Sequence, residues 1–95
     1  MRIYLAGRIT GVADYKERFA EAELLMRGWA PEGVVMNPAK LPAGKSEQWY
    51  MERCTKMVFM ADVVVMLRGW DEDDVSAARI EWAVAKYCGK RVVLL

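Results

Sequence analysis

Histidine is absent from this chain, and no other absence removes as much chemistry. Without it no Ser-His or Cys-His nucleophile system can be built, and a zinc site loses its usual nitrogen ligand. Cysteine is sparse too: Cys54 and Cys88 stand alone, with no Cys-x-x-Cys. Each sits among apolar neighbours at helical spacing, so both are expected to be reduced core residues of a cytoplasmic protein. No metal and no other cofactor is expected. No apolar run reaches the ~18 residues a membrane span requires. Met1-Arg2 leads straight into a strand pattern, so neither a signal peptide nor a membrane partner is expected. Charge of one sign is also lacking. Fourteen basic against thirteen acidic residues leave a net charge of +1, and the scattered basic residues give no footprint for nucleic acid. Carboxylates remain as the natural catalytic groups.

What is present is a regular alternation. Ile3 to Ala6 reads as a strand ending in the loop Gly7 to Gly11, and Val34-Val35-Met36 as a second strand closed by Asn37-Pro38. Val63 to Leu67 and Val92 to Leu95 read as the third and fourth. Between them lie three helical stretches. Asp14 is placed to cap the first, which runs to about Met26 with Phe19, Ala22, Leu25 and Met26 inside and Gly28 as its stop. Pro38 to Lys45 reads as loop. Ser46 caps the second helix, whose stripe is Tyr50, Cys54, Met57, Val58 and Ala61. The third runs from about Val75 to Cys88. This pattern predicts a single domain over residues 1–95. It is an α/β fold of the doubly wound, Rossmann or flavodoxin-like kind, with a parallel sheet ordered 2-1-3-4 and helices on both faces. Ligands of such sheets bind beyond the strand carboxyl ends, between strands one and three.

One residue on the third helix breaks the packing logic. Ala77, Val84, Ala85 and Cys88 form an apolar face, and Glu81 falls on it. A carboxylate there loses hydration unless something compensates it, so Glu81 is either held for chemistry or tilted to the rim against Arg79 or Lys86. Other candidates gather at the same sheet edge. Tyr4 can point its hydroxyl toward the site or pack in the core, and Gly7 permits close approach of a ligand or serves a tight turn. Arg8 can reach a 5′-phosphate from its loop, or be solvated. Trp70 can stack on a base or form a subunit contact. In the run Asp71 to Asp74, Asp74 lies nearest the helix start and is the best binding candidate, although acids there also complement the helix dipole.

Read together, Ile3-Tyr4-Leu5-Ala6-Gly7, Asn37-Pro38, Ala61-Asp62-Val63-Val64-Val65, Gly69-Trp70, Asp73-Asp74-Val75 and Ala78-Arg79-Ile80-Glu81 resemble the nucleoside 2-deoxyribosyltransferase superfamily. The resemblance is strongest to its short phage and bacterial branch of uncharacterised, DUF4406-like domains, and it spans nearly the whole chain. It implies that Glu81 is a nucleophile attacking the anomeric carbon of a nucleoside or nucleotide, with transfer or hydrolysis to follow. It implies that Asp74 binds sugar hydroxyls and that Tyr4 and Gly7 contact the nucleoside; together with them, Arg8, Asn37 and Trp70 are the expected substrate-binding residues. Departures from the transferases accompany it. Cys54 stands where they place an aspartate that contacts or protonates the base, and Ala77-Ala78 stands for their Gly-Thr or Gly-Ala pair. The interval from Asp74 to Glu81 is one residue longer, and their fifth strand is not expected. The alternative implied is a non-catalytic nucleotide-binding module or a phage-associated interaction protein. Trp29, Trp49, Trp70 and Trp82 are more tryptophans than one small core is expected to bury, which predicts a homodimer or larger homo-oligomer through the second helix.

Overall fold

The computed structural model describes residues 1–73 and 76–95. Its elements run β1 (Arg2–Ala6), α1 (Tyr15–Trp29), β2 (Val34–Met36), a 3-10 turn (Pro38–Lys40), α2 (Glu47–Met60), β3 (Val63–Met66), α3 (Ala77–Tyr87) and β4 (Arg91–Leu94). The four strands form one parallel sheet in the order β2-β1-β3-β4, as the alternation predicts.

Strand alternation divides the core in two. Ile3, Leu5, Val63 and Val65 turn to one face and pack with Phe19, Ala22 and Met26 of α1. Tyr4, Ala6, Val64 and Met66 turn to the other and pack with Val58 of α2 and with Ala78 and Ala85 of α3. Each strand therefore carries apolar residues at successive positions, as parallel strands covered on both faces must. β3 is buried at all four positions.

Helix ends follow local chemistry. Ser46 Oγ accepts from Trp49 N at 3.0 Å, and Ser76 Oγ accepts from Arg79 N at 3.3 Å. Each bond satisfies an amide that the first helical turn leaves without a partner. At the far end of α2, Lys90 Nζ donates to the Phe59 carbonyl at 2.7 Å, a cation on a terminal carbonyl.

Several expectations are corrected. Asp14 occupies the N-cap position of α1 but makes no side-chain cap bond; its carboxylate instead meets Arg18 Nε at 3.1 Å. Gly28 does not stop α1, which continues to Trp29 and ends at Ala30, just before Pro31 interrupts the helical path. Pro38 to Lys45 is not all loop, since a 3-10 turn opens it. Leu25, expected inside, is 60% exposed, while Glu23 is buried beside Phe19, Ala22 and Met26. Glu23 tolerates that position because Arg27, Asn37 and Lys40 all donate to it, at 2.9, 3.1 and 3.1 Å. Burial pushes its carboxyl pKa up, but these bonds outweigh burial and bring it down to about 2. Cys88 is exposed, because α3 ends at Tyr87 and leaves Cys88 as its C-cap. Ala77 is likewise exposed; the buried row of α3 is Ala78, Glu81 and Ala85, with Glu81 still on it.

Gly7 shows how tightly the loop after β1 is seated. A Cβ there would lie 3.0 Å from Leu67 Cβ and 3.2 Å from the Phe19 ring. Leu67 Cβ is fixed to the backbone and cannot swing aside. Gly7→Ala is accordingly expected to lower stability by ~1–3 kcal/mol, the usual cost of overpacking. A denaturant midpoint shift at unchanged slope would show it.

Candidate functional site

The site is built on the α2/α3 face of the sheet. Tyr4 sits at the centre of β1, 1% exposed, and strand alternation aims its ring at α3. Glu81 lies on the second turn of α3, 4% exposed, and α3 presents it to the sheet between Ala78 and Ala85. Tyr4 Oη donates to Glu81 Oε2 at 2.5 Å, across 77 residues of sequence. A short O–H···O⁻ bond of this kind is among the stronger polar contacts a protein makes.

The surroundings are apolar: Val58, Val64, Met66, Ala78 and Ala85 close this layer, with Trp70, Trp82 and Cys54 half-buried against it. Burial pushes the Glu81 carboxyl up and the Tyr4 bond pulls it partly back, leaving it at about 7. The Tyr4 hydroxyl is raised well above its ordinary value, first by burial and then by the carboxylate beside it. Burial also raises the Cys54 thiol. Glu81 thus divides between its protonated and ionised forms near neutrality.

The rim alternative for Glu81 is overturned. Arg79 Nη2 donates to the Asp71 carbonyl at 2.5 Å and Arg79 Nε to the Asp73 carbonyl, while Lys86 is exposed. Neither arginine nor lysine meets the carboxylate. Arg79 instead ties the loop after β3 to the start of α3.

The other residues singled out in the sequence do not all converge. Trp70 joins the Tyr4–Glu81 layer, its ring stacked on Trp82 with centroids 5.6 Å apart. Arg8 is held by the acidic loop: its Nη1 donates to Glu72 at 3.1 Å. Its Nε lies 2.9 Å from Asp73 Oδ2 as an ion pair, without hydrogen-bond alignment. Gly7 packs toward Leu67 and Phe19, on the α1 side. Asn37 belongs to a separate network, donating to Glu23 and accepting from Ala39 N at 2.9 Å. Asp74, the expected sugar-binding residue, lies outside the described residues. Gly69, with φ +85°, turns the chain into the loop that carries Trp70, a conformation costly for any side chain.

Sequence reasoning missed Glu23. Its position between the inward Ala22 and Met26, four residues before Arg27, was the available signal. A shallow hollow of about 590 Å³ on the outer side of α2, lined by Trp49, Arg53 and Phe59 among others, is formed by residues of that one helix and lies away from Glu81.

The fold is a small doubly wound α/β domain with one parallel sheet. Residues 1–94 match the family described as "Domain of unknown function (DUF4406)", and the chain belongs to that family. No curated protein sequence matches it. Among solved structures it is similar to a 2-desoxiribosyltransferase from Leishmania mexicana, with a TM-score of 0.73 at 15% identity. That likeness covers 99% of this chain and 63% of the other, so the chain spans under two thirds of the enzyme's length. No helix among the described residues is long and apolar enough to cross a membrane.

The raised carboxyl has a thermodynamic signature. With a folded pKa near 7 against an ordinary 4.5, the folded state binds more protons than the unfolded state between those values. Stability therefore falls as pH rises from about 4.5 to about 7 and is flat above, by roughly 3 kcal/mol at most. Glu81→Gln keeps the shape and cannot ionise, so this decline should vanish and the variant should be the more stable protein at pH 8. Urea unfolding of both proteins from pH 4.5 to 8 measures it.

Proposed function

We propose that this protein breaks the N-glycosyl bond of a nucleoside or nucleotide, using Glu81 as the nucleophile. The observation that carries the reading is the buried Glu81 carboxylate, with Tyr4 as its hydrogen-bond donor and no cationic partner among the described residues. Structural carboxylates in cores are ordinarily neutralised, as Glu23 is by Arg27 and Lys40. Glu81 is not, and a carboxylate so placed is suited to capture an oxocarbenium-like carbon as a glycosyl ester. The fold likeness to a 2-desoxiribosyltransferase supports the reading.

In the proposed mechanism ionised Glu81 attacks the anomeric carbon as the base departs, and a second base or water then takes the sugar. Tyr4 fixes the carboxylate and holds its second oxygen free to attack. Asp74 would orient a sugar hydroxyl, and Trp70 would flank the base. Arg8, already held by Glu72 and Asp73, would meet a 5′-phosphate only by exchanging those partners. Asn37 is spent on Glu23 and Ala39, so its part in binding would be indirect. A homo-oligomer formed through α2, where Phe59 and Met60 are exposed beside half-buried Trp49, belongs to the same proposal. Light scattering at micromolar concentration should give at least a dimer mass.

A second reading has its own observation. Glu81 is 4% exposed, which also suits a binding module whose Tyr4–Glu81 bond only joins β1 to α3. Activity decides between them. Incubation with nucleosides and nucleoside monophosphates, followed by chromatography for free base, should show release that Glu81→Gln lowers on the order of 10³-fold or more. The rate should rise with pH through about 7, as the carboxyl ionises. Tyr4→Phe removes the bond that favours the ionised form, so its profile should move to higher pH. Binding without base release would establish the second reading.

A further inference from the structure

Two features of the Glu81 layer bear on which glycosides it can open. The first is the missing counter-charge. Arg79 is turned to the Asp71 and Asp73 carbonyls, Arg8 is paired with Glu72 and Asp73, and no cation among the described residues meets Glu81. A carboxylate buried without a counter-ion favours a ligand that brings one, because a positive charge beside it stabilises the ionised form.

The second is the missing acid. A neutral purine or pyrimidine leaves poorly unless it is protonated as the bond breaks. Among the described residues, the titratable hydrogens facing this layer are the Tyr4 hydroxyl from β1, already donated to Glu81, and the Cys54 thiol from α2; the Trp70 and Trp82 indoles do not titrate. β3 and α3 add Val64, Met66, Ala78, Ala85 and Trp82, none of which titrates. Both Tyr4 and Cys54 hold their protons well above neutrality, too firmly to deliver them efficiently. The acids of the adjacent loop within the described residues, Asp71, Glu72 and Asp73, are exposed at the rim.

Resting on the Glu81 reading above, we propose that the preferred substrate is a cationic N-glycoside, a pyridinium nucleoside or nucleotide. In the first step an ionised Glu81 oxygen forms the bond to C1′ as the C1′–N bond breaks. The released electron pair settles on the pyridinium nitrogen and cancels its charge, so the pyridine departs neutral with no proton transferred. Water then attacks C1′, the ester pair returns to Glu81 as carboxylate, and the proton lost from that water passes to solvent. The substrate supplies the positive charge, and dispenses with the acid, that the described residues around Glu81 do not provide.

The test compares nicotinamide riboside with inosine, each also as its 2′-deoxy and 5′-phosphate form. Release is measured over the Glu81→Gln background to subtract spontaneous hydrolysis. The pyridinium glycosides should be cleaved at least ~10²-fold faster over background than the inosine set, the lower range of what a general acid contributes. A second readout does not depend on a variant. With the pyridinium substrate the rising limb of kcat should lie at lower pH than that of kcat/KM, because the bound cation favours ionised Glu81. Equal release of hypoxanthine overturns this specificity and leaves the Glu81 mechanism standing. Release from neither set overturns both.

Discussion

The hydrogen bond from Tyr4 to Glu81 is the contact on which the functional reading depends. Carrying a carboxylate into an apolar layer costs several kcal/mol unless something recovers its hydration. Here a single phenol recovers part of it, and the residue settles between two protonation states. The bond joins the middle of β1 to the second turn of α3, so it also sets where α3 lies on the sheet. Replacing the carboxylate with an apolar residue would remove that cost but leave the buried Tyr4 hydroxyl without its acceptor.

The contrast with Glu23 sharpens this. Both glutamates are buried on helices that cover the sheet, and their carboxyls move in opposite directions. Glu23 is met by Arg27, Lys40 and Asn37 and is held near 2, whereas Glu81 is met by Tyr4 and stands near 7. The difference lies in the number and charge of the donors and in how deeply each carboxyl is set, Glu81 being the more fully enclosed. Glu23 binds α1 to the segment after β2 and is fully occupied there. Among the described residues, Glu81 is met by Tyr4 alone.

The loops at the carboxyl edge are fixed by arginines. Arg8 links the loop after β1 to the one after β3, and Arg79 links that second loop to α3. Gly7 and Gly69 let the backbone follow these paths where a side chain would collide or strain. Such ties give rigidity at the rim, and they also mean that Arg8 and Arg79 already have protein partners. An anionic substrate group would have to displace them, at a cost of breaking exposed pairs worth little individually.

Much of this was legible in the sequence. The strand order, the three helices, the Ser46 cap and the anomalous place of Glu81 follow from periodicity and local chemistry, because each depends on residues a few positions apart. Helix boundaries were less legible at α1: Gly28 carries a stop signal, yet the helix runs on to Trp29, just short of Pro31. The partners of buried charge could not be read at all. Nothing in the one-dimensional pattern separates Glu81 paired with Arg79 from Glu81 paired with Tyr4, since both satisfy the same face. The choice was made by strand alternation aiming Tyr4 across the sheet while the loop carbonyls of Asp71 and Asp73 drew Arg79 away. The partner of Asn37 was illegible for the same reason, its amide being claimed by Glu23 across the α1 interface. Sequence determined which groups must be buried; tertiary structure decided what each would meet there, because desolvation is a property of position along an element, whereas its compensation depends on whatever another element brings within hydrogen-bond reach.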